Sequence, residues 1–316
     1  MRWSNKPEVV GSLEGCEAAT ILVGQEQREF NLHKNLLCET SSFFREQLEH
    51  LEHEQTPVQT APGPSDDDDI MWLPAENADM FELFVLWLYQ RRSFHSFLDA
   101  AIQKITPAQC RSLRFNLIRL HLFAVLIDLP ALQDVAMDAL QDMYLHLDWA
   151  MSPQFIAFIY GECQTEQAFR LRKWAVAMLA WTLHGGDTSV AQAGHFDRLF
   201  VAFPGLAEEY RKHLTKMVAS KADVRFKNPQ LRLPVNKLRN GERFFGFRQC
   251  SFHSHRATVG ESTCPHLLAT LSSPELRPAA IAKPQSDDVK FDVSDTEQLI
   301  LTPVSDLQNI SFLDLS

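Results

Sequence analysis

The sequence lacks any apolar run long enough to cross a membrane. Its 316 residues are 45% hydrophobic, yet no uninterrupted run approaches the roughly 18 residues that a membrane-spanning helix requires. The N-terminal residues also lack the apolar core of a secretory signal. We therefore expect an intracellular protein, in the nucleus or the cytoplasm, without a membrane partner.

Motifs that mark catalytic sites are missing as well. There is no Gly-rich phosphate-binding loop, no GxSxG nucleophile elbow and no HExxH motif. His33 and Cys38 offer a base and a thiol, but their neighbours have the pattern of a short helix that faces a core. Nucleophilic catalysis needs such a pair to meet at a cleft beside an orienting third group. We therefore predict no catalytic residues and a protein that is not an enzyme.

Cysteines are few and widely spaced. The six occur at positions 16, 38, 110, 163, 250 and 264, which is not the dense framework of a small secreted protein stabilised by disulfides. Reduced thiols are therefore the expected state, in agreement with an intracellular location.

The net charge of −10 conceals two regions of opposite sign. Residues 211–256 contain twelve Lys and Arg against two acids, whereas residues 44–79 contain ten acids against one Arg. Phe residues are interspersed in the basic region, and positive charge with aromatics suits single-stranded nucleic acid. A nucleic-acid-associated regulator is thus the alternative function. Because no recognisable nucleic-acid fold surrounds the charges, a solvated face or pairing with the chain's own acids is the preferred interpretation.

The stretch from Ile21 to Leu48 has the pattern of a hairpin followed by two helices. A β-prone run at 21–23 is followed by a polar turn and a second strand at 28–31. Helical spacing then begins and is interrupted at residues 40–42, where capping residues start a second helix. The apolar side of that helix is a candidate interaction surface formed by Phe43, Phe44, Leu48 and Leu51. Adjacent helical positions lie about 100° apart, so one Phe is expected to enter the core.

These residues resemble the opening of a BTB/POZ domain, in the form common in fungal proteins. The family pattern is a strand ending in Val-Gly, a Phe before His-Lys, a Leu-Leu-Cys and then Ser with paired Phe. The matching residues are Val23, Gly24, Phe30, His33, Lys34, Leu36, Leu37, Cys38, Ser42, Phe43 and Phe44. Two later blocks, Trp72–Gln90 and Leu117–Leu140, fit the same pattern in the same order. The resemblance covers residues 18–147 and implies an α+β fold, with a small β-sheet flanked by α-helices.

The resemblance also implies a binding function. BTB domains mediate homotypic or heterotypic protein association, and many recruit partners to a cullin scaffold within a ubiquitin ligase. We therefore expect a protein-interaction module that self-associates, with substrate-adaptor activity as a hypothesis. The sequence departs from the family at the first strand, where Ala18 or Ala19 replaces an Asp that is often found there.

Composition and periodicity divide the rest of the chain. Residues 90–107 are ambiguous, with helical patches, and are interpreted as a surface excursion, and the pattern becomes irregular from Asn228 onward. The predicted segments outside the BTB core are a flexible arm at 1–17, a disordered acidic insertion at 54–69, a helical extension similar to the BACK region at 148–225, a basic Cys/His-containing segment at 226–271 and a disordered acidic tail at 272–316.

One cluster of residues has metal-ligating character. Its members follow the spacing C-x2-H-x-H-x8-C and are Cys250, His253, His255 and Cys264. If residues 251–255 are extended, the two His side chains point to one face, and a loop containing Gly260 could return the last Cys to complete four ligands for a structural zinc. The cluster looks like the Cys/His tails of fungal BTB proteins. The spacing departs from the common zinc finger, His266 is a substitute ligand, and two surface His with unrelated thiols are the alternative.

Overall fold

The computed structural model describes residues 17–54, 70–185, 190–233, 245–248 and 250–256. In these residues the chain is mixed α and β, with ten helices and small sheets, so the predicted α+β class is confirmed at this level. The predicted N-terminal arm, acidic insertion and acidic tail lie outside the described residues, apart from the border residues Glu17 and Glu54.

The first half of the chain contains strands and helices, and the second half is mostly helical. The strands are β1 (Ala18–Val23), β2 (Arg28–His33), β3 (Ile70–Leu73), β4 (Asn228–Leu233) and β5 (Gly246–Arg248). The helices are α1 (Lys34–Thr40), α2 (Ser42–Glu54), α3 (Ala78–Tyr89), α4 (Arg91–Gln103), α5 (Pro107–Leu126), α6 (Pro130–His146), α7 (Pro153–Gly161), α8 (Thr165–His184), α9 (Val190–Ala202) and α10 (Pro204–Ala219). A 3₁₀ turn, Ser254–Arg256, ends the described chain.

The first sheet has the strand order β2-β1-β3, in which β1 is antiparallel to β2 and parallel to β3. The hairpin between β1 and β2 turns at Gly24, whose φ of +78° is the left-handed conformation that glycine adopts without strain. Side chains alternate along each strand, so Ile21 faces the core with its partner Met71, while Leu22 and its partner Trp72 lie on the outer face.

Helices α1 to α6 enclose a first hydrophobic core against the inner face of this sheet. Its centre is a group of Phe rings in which Phe84 contacts Phe44 at 5.6 Å, Phe81 at 5.2 Å and Phe123 at 5.5 Å between ring centroids. All four side chains are buried. Aromatic pairs at these separations add favourable quadrupole contacts to the burial of apolar area.

A second hydrophobic core lies between α5, α6 and the later helices α7 to α10. Helix α6 contributes to both cores from different faces. The residues Leu132, Ala136, Ala139 and Met143 face the first core, and Met137, Leu140 and Tyr144 face the second. Both sets recur at helical spacing on one helix. The sheet-containing part and the helical extension therefore pack against different faces of α6.

Local signals placed the helix starts correctly. The Asn77 side chain accepts a hydrogen bond from the Met80 amide at 3.0 Å, and the Ser152 hydroxyl accepts one from Phe155 at 3.2 Å. Pro130 occupies the first turn of α6, as predicted for a residue that fits a helix start. The helix starts could be predicted because they depend on interactions within one helical turn.

The predictions of a surface excursion at 90–107 and of irregular chain from Asn228 onward are wrong. Residues 91–103 form α4, in which Phe94, Leu98 and Ile102 recur every four residues and are buried in the first core. Residues 228–233 form β4, which pairs with β5. The partner strand lies in a segment with little apolar periodicity, so only the tertiary pairing reveals it.

Among the described helices, none combines the length and the apolar character needed to span a bilayer.

Substituting Phe84→Ala tests the Phe group at the centre of the first core. The substitution removes a ring that is 0% exposed, so we expect a loss of about 3 to 5 kcal/mol in the free energy of unfolding, measured by urea denaturation. Phe169→Ala is the matched control, because that ring is 48% exposed and its loss should cost less than about 1 kcal/mol. Equal losses in the two variants would contradict the assignment of Phe84 to the core.

Candidate functional site

The four residues predicted to form an interaction surface divide between the core and its margin. Phe44 and Leu48 are completely buried, whereas Phe43 and Leu51 are partly buried and pack against the first core. One Phe of the pair thus enters the core. The other, Phe43, meets it edge to face at 5.4 Å between centroids and retains some accessible surface.

The His33 ring is held by a tyrosine. Its Nδ1 atom lies 2.7 Å from the Tyr89 hydroxyl, which also accepts a hydrogen bond from the His33 amide at 3.1 Å. These contacts fix the end of β2 against the end of α3. They give His33 a structural role in joining the two elements.

A row of three carboxylates runs along one face of α6. Asp134, Asp138 and Asp142 are four residues apart, so they are stacked on the same side of the helix. We call these three residues the carboxylate row. Each of them contacts residues that follow the helical extension in sequence.

Arg232 on β4 bridges two members of the carboxylate row. Its Nη1 atom lies 2.9 Å from an Asp138 oxygen, and its Nη2 atom donates a hydrogen bond to Asp142. Burial lowers the pKa of Arg232, but its hydrogen bonds and charge interactions with the two carboxylates outweigh burial and raise it. The Arg232 side chain is 16% exposed, so this ion pair lies largely out of water and strongly favours one position for β4.

Cys250, His253 and His255, which we call the Cys/His cluster, come together at the end of the described chain. Ligand atoms of all three side chains lie within 4.8 Å of one another. A turn brings them close, because the His253 amide donates to the Cys250 carbonyl at 3.3 Å and the 3₁₀ turn begins at the next residue. Residues 251–255 are therefore not extended, which was the condition of the sequence-based hypothesis, and a turn brings the two His side chains together instead.

The carboxylate row also holds the Cys/His cluster. Nε2 of His253 lies 2.8 Å from Asp138 Oδ1, and Nδ1 of His255 lies 3.4 Å from Asp134 Oδ2. The backbone between the two imidazoles is fixed from both sides. The Ser254 amide donates to Asp134 Oδ1 at 2.6 Å, and the Ser254 carbonyl accepts from Arg170 of α8 at 2.8 Å.

The sequence reasoning found the His and Cys residues but missed the acidic residues that position them. The spacing of Asp134, Asp138 and Asp142 was a usable signal, since three acids on one face of an otherwise apolar helix need cationic or hydrogen-bonding partners. Cys264, the fourth predicted ligand, and His266 lie outside the described residues.

A second group with possible metal-ligating atoms consists of His95, Asp99 and Asp142. His95 and Asp99 are each 48% exposed and already form an ion pair at 3.0 Å along α4, while Asp142 is paired with Arg232. Exposed carboxylates of this kind are common on helices and act mainly through solvent-screened charge. This group has no soft ligand and is the weaker candidate.

The basic region is partly engaged within the chain itself. Arg232 binds the carboxylate row, and Arg225 makes a bidentate contact with Asp223 at 2.7 to 3.1 Å. The Phe rings differ in environment: Phe252 is buried in the second core, whereas Phe226 is 59% exposed and Phe245 56%. The two arginines already have carboxylate partners, so they give no support to the nucleic-acid alternative.

His121 of α5 packs against Gln133 of α6 and has a structural role. It is buried, its Nδ1 lies 3.1 Å from the Gln133 carbonyl oxygen, and Gln133 contacts its other nitrogen at 3.2 Å. Burial lowers the pKa of His121 to about 3. The ring is therefore neutral at physiological pH and connects α5 to α6 by hydrogen bonds.

Comparison of the chain with protein-family models gives no match, and comparison with curated proteins gives no significant match.

Replacing Arg232 tests whether the carboxylate row holds β4. Arg232→Met keeps the length of the side chain but leaves Asp138 and Asp142 without their guanidinium, so we expect a loss of about 2 to 4 kcal/mol in unfolding free energy, measured by urea denaturation. Arg225→Met is the control, because the Arg225 side chain is 59% exposed and an exposed pair contributes less than about 1 kcal/mol. If Arg232→Met loses no more unfolding free energy than Arg225→Met, the carboxylate row contributes no more to stability than a surface ion pair.

Proposed function

We propose that the protein is a non-enzymatic protein-interaction module of the BTB/POZ type that self-associates. The family resemblance over residues 18–147 supports this, because the described residues in that range form a small sheet flanked by α-helices. The observation that carries the binding function is an apolar strip on the outer face of the sheet.

This strip consists of Leu22 on β1 with Ile70 and Trp72 on β3. Ile70 is 40% exposed and Trp72 is 51% exposed, although both belong to regular structure. Leu22 is the parallel partner of Trp72, so the side chains share one face. A large aromatic side chain exposed on a rigid strand is typical of residues that contribute strongly to protein–protein interfaces.

The Trp72 ring is fixed before any partner binds. Its Nε1 donates a hydrogen bond to the Gly24 carbonyl at 3.2 Å, and the Gly24 amide donates to the Leu73 carbonyl at 3.0 Å. Little side-chain entropy is therefore lost when a partner covers the ring, and association is correspondingly more favourable.

The partner we propose is a second copy of the chain. Among the described residues, β3 has β1 as its one strand neighbour and forms an edge of the sheet. An edge strand is self-complementary, because two copies related by a two-fold axis can pair antiparallel and supply each other's backbone hydrogen bonds. Such pairing would place Ile70 and Trp72 of both copies in one continuous strip.

Light scattering of the full chain tests self-association. We expect a dimer mass at micromolar concentration, and we expect Trp72→Ala to raise the dissociation constant roughly 30-fold, which corresponds to the ~2 kcal/mol typical of a central interface residue. Phe169→Ala removes an aromatic ring of similar exposure, 48%, from α8 and should leave the mass unchanged. A monomer mass at high micromolar concentration would remove homodimerisation from the proposal.

Partner recruitment is the second part of the proposal. The BTB resemblance supports an adaptor role in a cullin-based ubiquitin ligase, with the chain linking a substrate to the cullin scaffold. Interferometry with purified cullins and the immobilised full chain measures this directly, and we expect micromolar or tighter binding to one of them. An absence of binding to every cullin at tens of micromolar would limit the function to association with other partners.

A further inference from the structure

We propose that Cys250, His253 and His255 bind a zinc ion that anchors the segment 250–256 to the helical bundle, with Asp138 and Asp134 orienting the two imidazoles. This metal centre is separate from the sheet surface proposed for self-association. One thiolate and two imidazoles form a soft N and S ligand set, which favours zinc over magnesium or calcium.

The spacing of the ligands suits a single ion. Two ligands of a tetrahedral zinc lie roughly 3.5 Å apart, given Zn–N and Zn–S bonds of about 2.1 and 2.3 Å. The three ligand atoms lie within 4.8 Å of one another, so side-chain movements of about 1 Å or less would bring them to bonding distance. A tetrahedral ion then keeps its fourth position for a group outside these three side chains.

The carboxylates beside the two imidazoles, which we call the outer contacts, are those that a zinc-binding histidine requires. A ligating imidazole usually donates its other N–H to a carboxylate, which fixes the ring's tautomer and orientation. Asp138 lies 2.8 Å from Nε2 of His253 and Asp134 lies 3.4 Å from Nδ1 of His255. Asp134 also lies 3.7 Å from Nδ1 of His253, which is longer than a hydrogen bond, so Nδ1 of His253 and Nε2 of His255 are the nitrogens assigned to the ion. Asp138 in turn pairs with Arg232, which fixes the position of the carboxylate.

The segment itself gives a reason for a metal. Phe252 enters the second core, and the contacts of residues 253–255 with α6 and α8 are polar. Cys250 and His253 are 0% and 2% exposed, so a thiol and an imidazole lie close together away from water. Metal binding contributes folding free energy to such a segment, because the site forms only when the chain is ordered.

Zinc content is the first test. The full chain, purified without chelator and without a polyhistidine tag, should carry about one zinc per chain by elemental analysis, and Cys250→Ser and His255→Ala should each reduce this below about a tenth. Cys163→Ser and His195→Ala are the matched controls, since both residues lie outside the two groups with metal-ligating atoms, and each should retain the metal. Wild-type protein with less than about a tenth of an equivalent, or a Cys250→Ser variant that retains zinc, would overturn the proposal.

Cobalt substitution keeps the test valid if a variant is unstable. Chelator-treated wild-type protein loaded with Co²⁺ should show a thiolate-to-metal charge-transfer band, which reports the Cys250 ligand directly. Zinc added to the same protein should raise its melting temperature, whereas Mg²⁺ at equal concentration should not. Absence of both the band and the zinc-specific shift would overturn the site independently of any substitution.

Two aspartate variants separate the outer contacts from the ion pairs of α6. Asp138 contacts both His253 and Arg232. Asp142 contacts Arg232 but not the ring of His253. Asp138→Asn should therefore weaken zinc affinity by about 10 to 100-fold, and Asp142→Asn, which also loses an Arg232 contact, should change it by less than about three-fold. Equal weakening in the two variants would overturn the orienting role of Asp138.

Discussion

The carboxylate row of α6 holds two distant parts of the chain on the helical bundle. Arg232 on β4 and the Ser254 amide reach Asp142, Asp138 and Asp134 across separations of 90 and 120 residues. Aspartates on a largely buried helix would be costly without partners. The need to satisfy their charge therefore selects the position of β4 and of the Cys/His cluster together. Asp138, which pairs with Arg232 of β4, also provides an outer contact of the proposed zinc site.

Helix α6 also explains why the two hydrophobic cores do not behave as separate domains joined by a linker. Leu132 and Ala136 face the core under the first sheet, while Met137 and Leu140 face the core of the helical extension. A helix that is apolar on two faces must be covered on both sides. Movement of the helical extension would expose one of these faces to water.

The surfaces proposed for the two activities have different physical origins. The apolar strip around Trp72 is a feature of a sheet whose inner side chains are buried and whose outer side chains include exposed apolar residues. The Cys/His cluster is polar and buried, and its residues are positioned by carboxylates and by Arg170. The proposed self-association and the proposed metal binding thus depend on separate sets of residues.

The sequence by itself determined the features that depend on near neighbours. These include the first hairpin, the caps at Asn77 and Ser152, the helix start at Pro130 and the clustering of His253 with His255, because each is decided within one turn or a few residues. Only the tertiary structure decided that α4 lies in the core, that β4 finds β5, and that the acids of α6 meet the Cys/His cluster. Periodicity shows which face of a helix is apolar or acidic, but the identity of the opposite surface depends on packing between residues that are far apart in the chain.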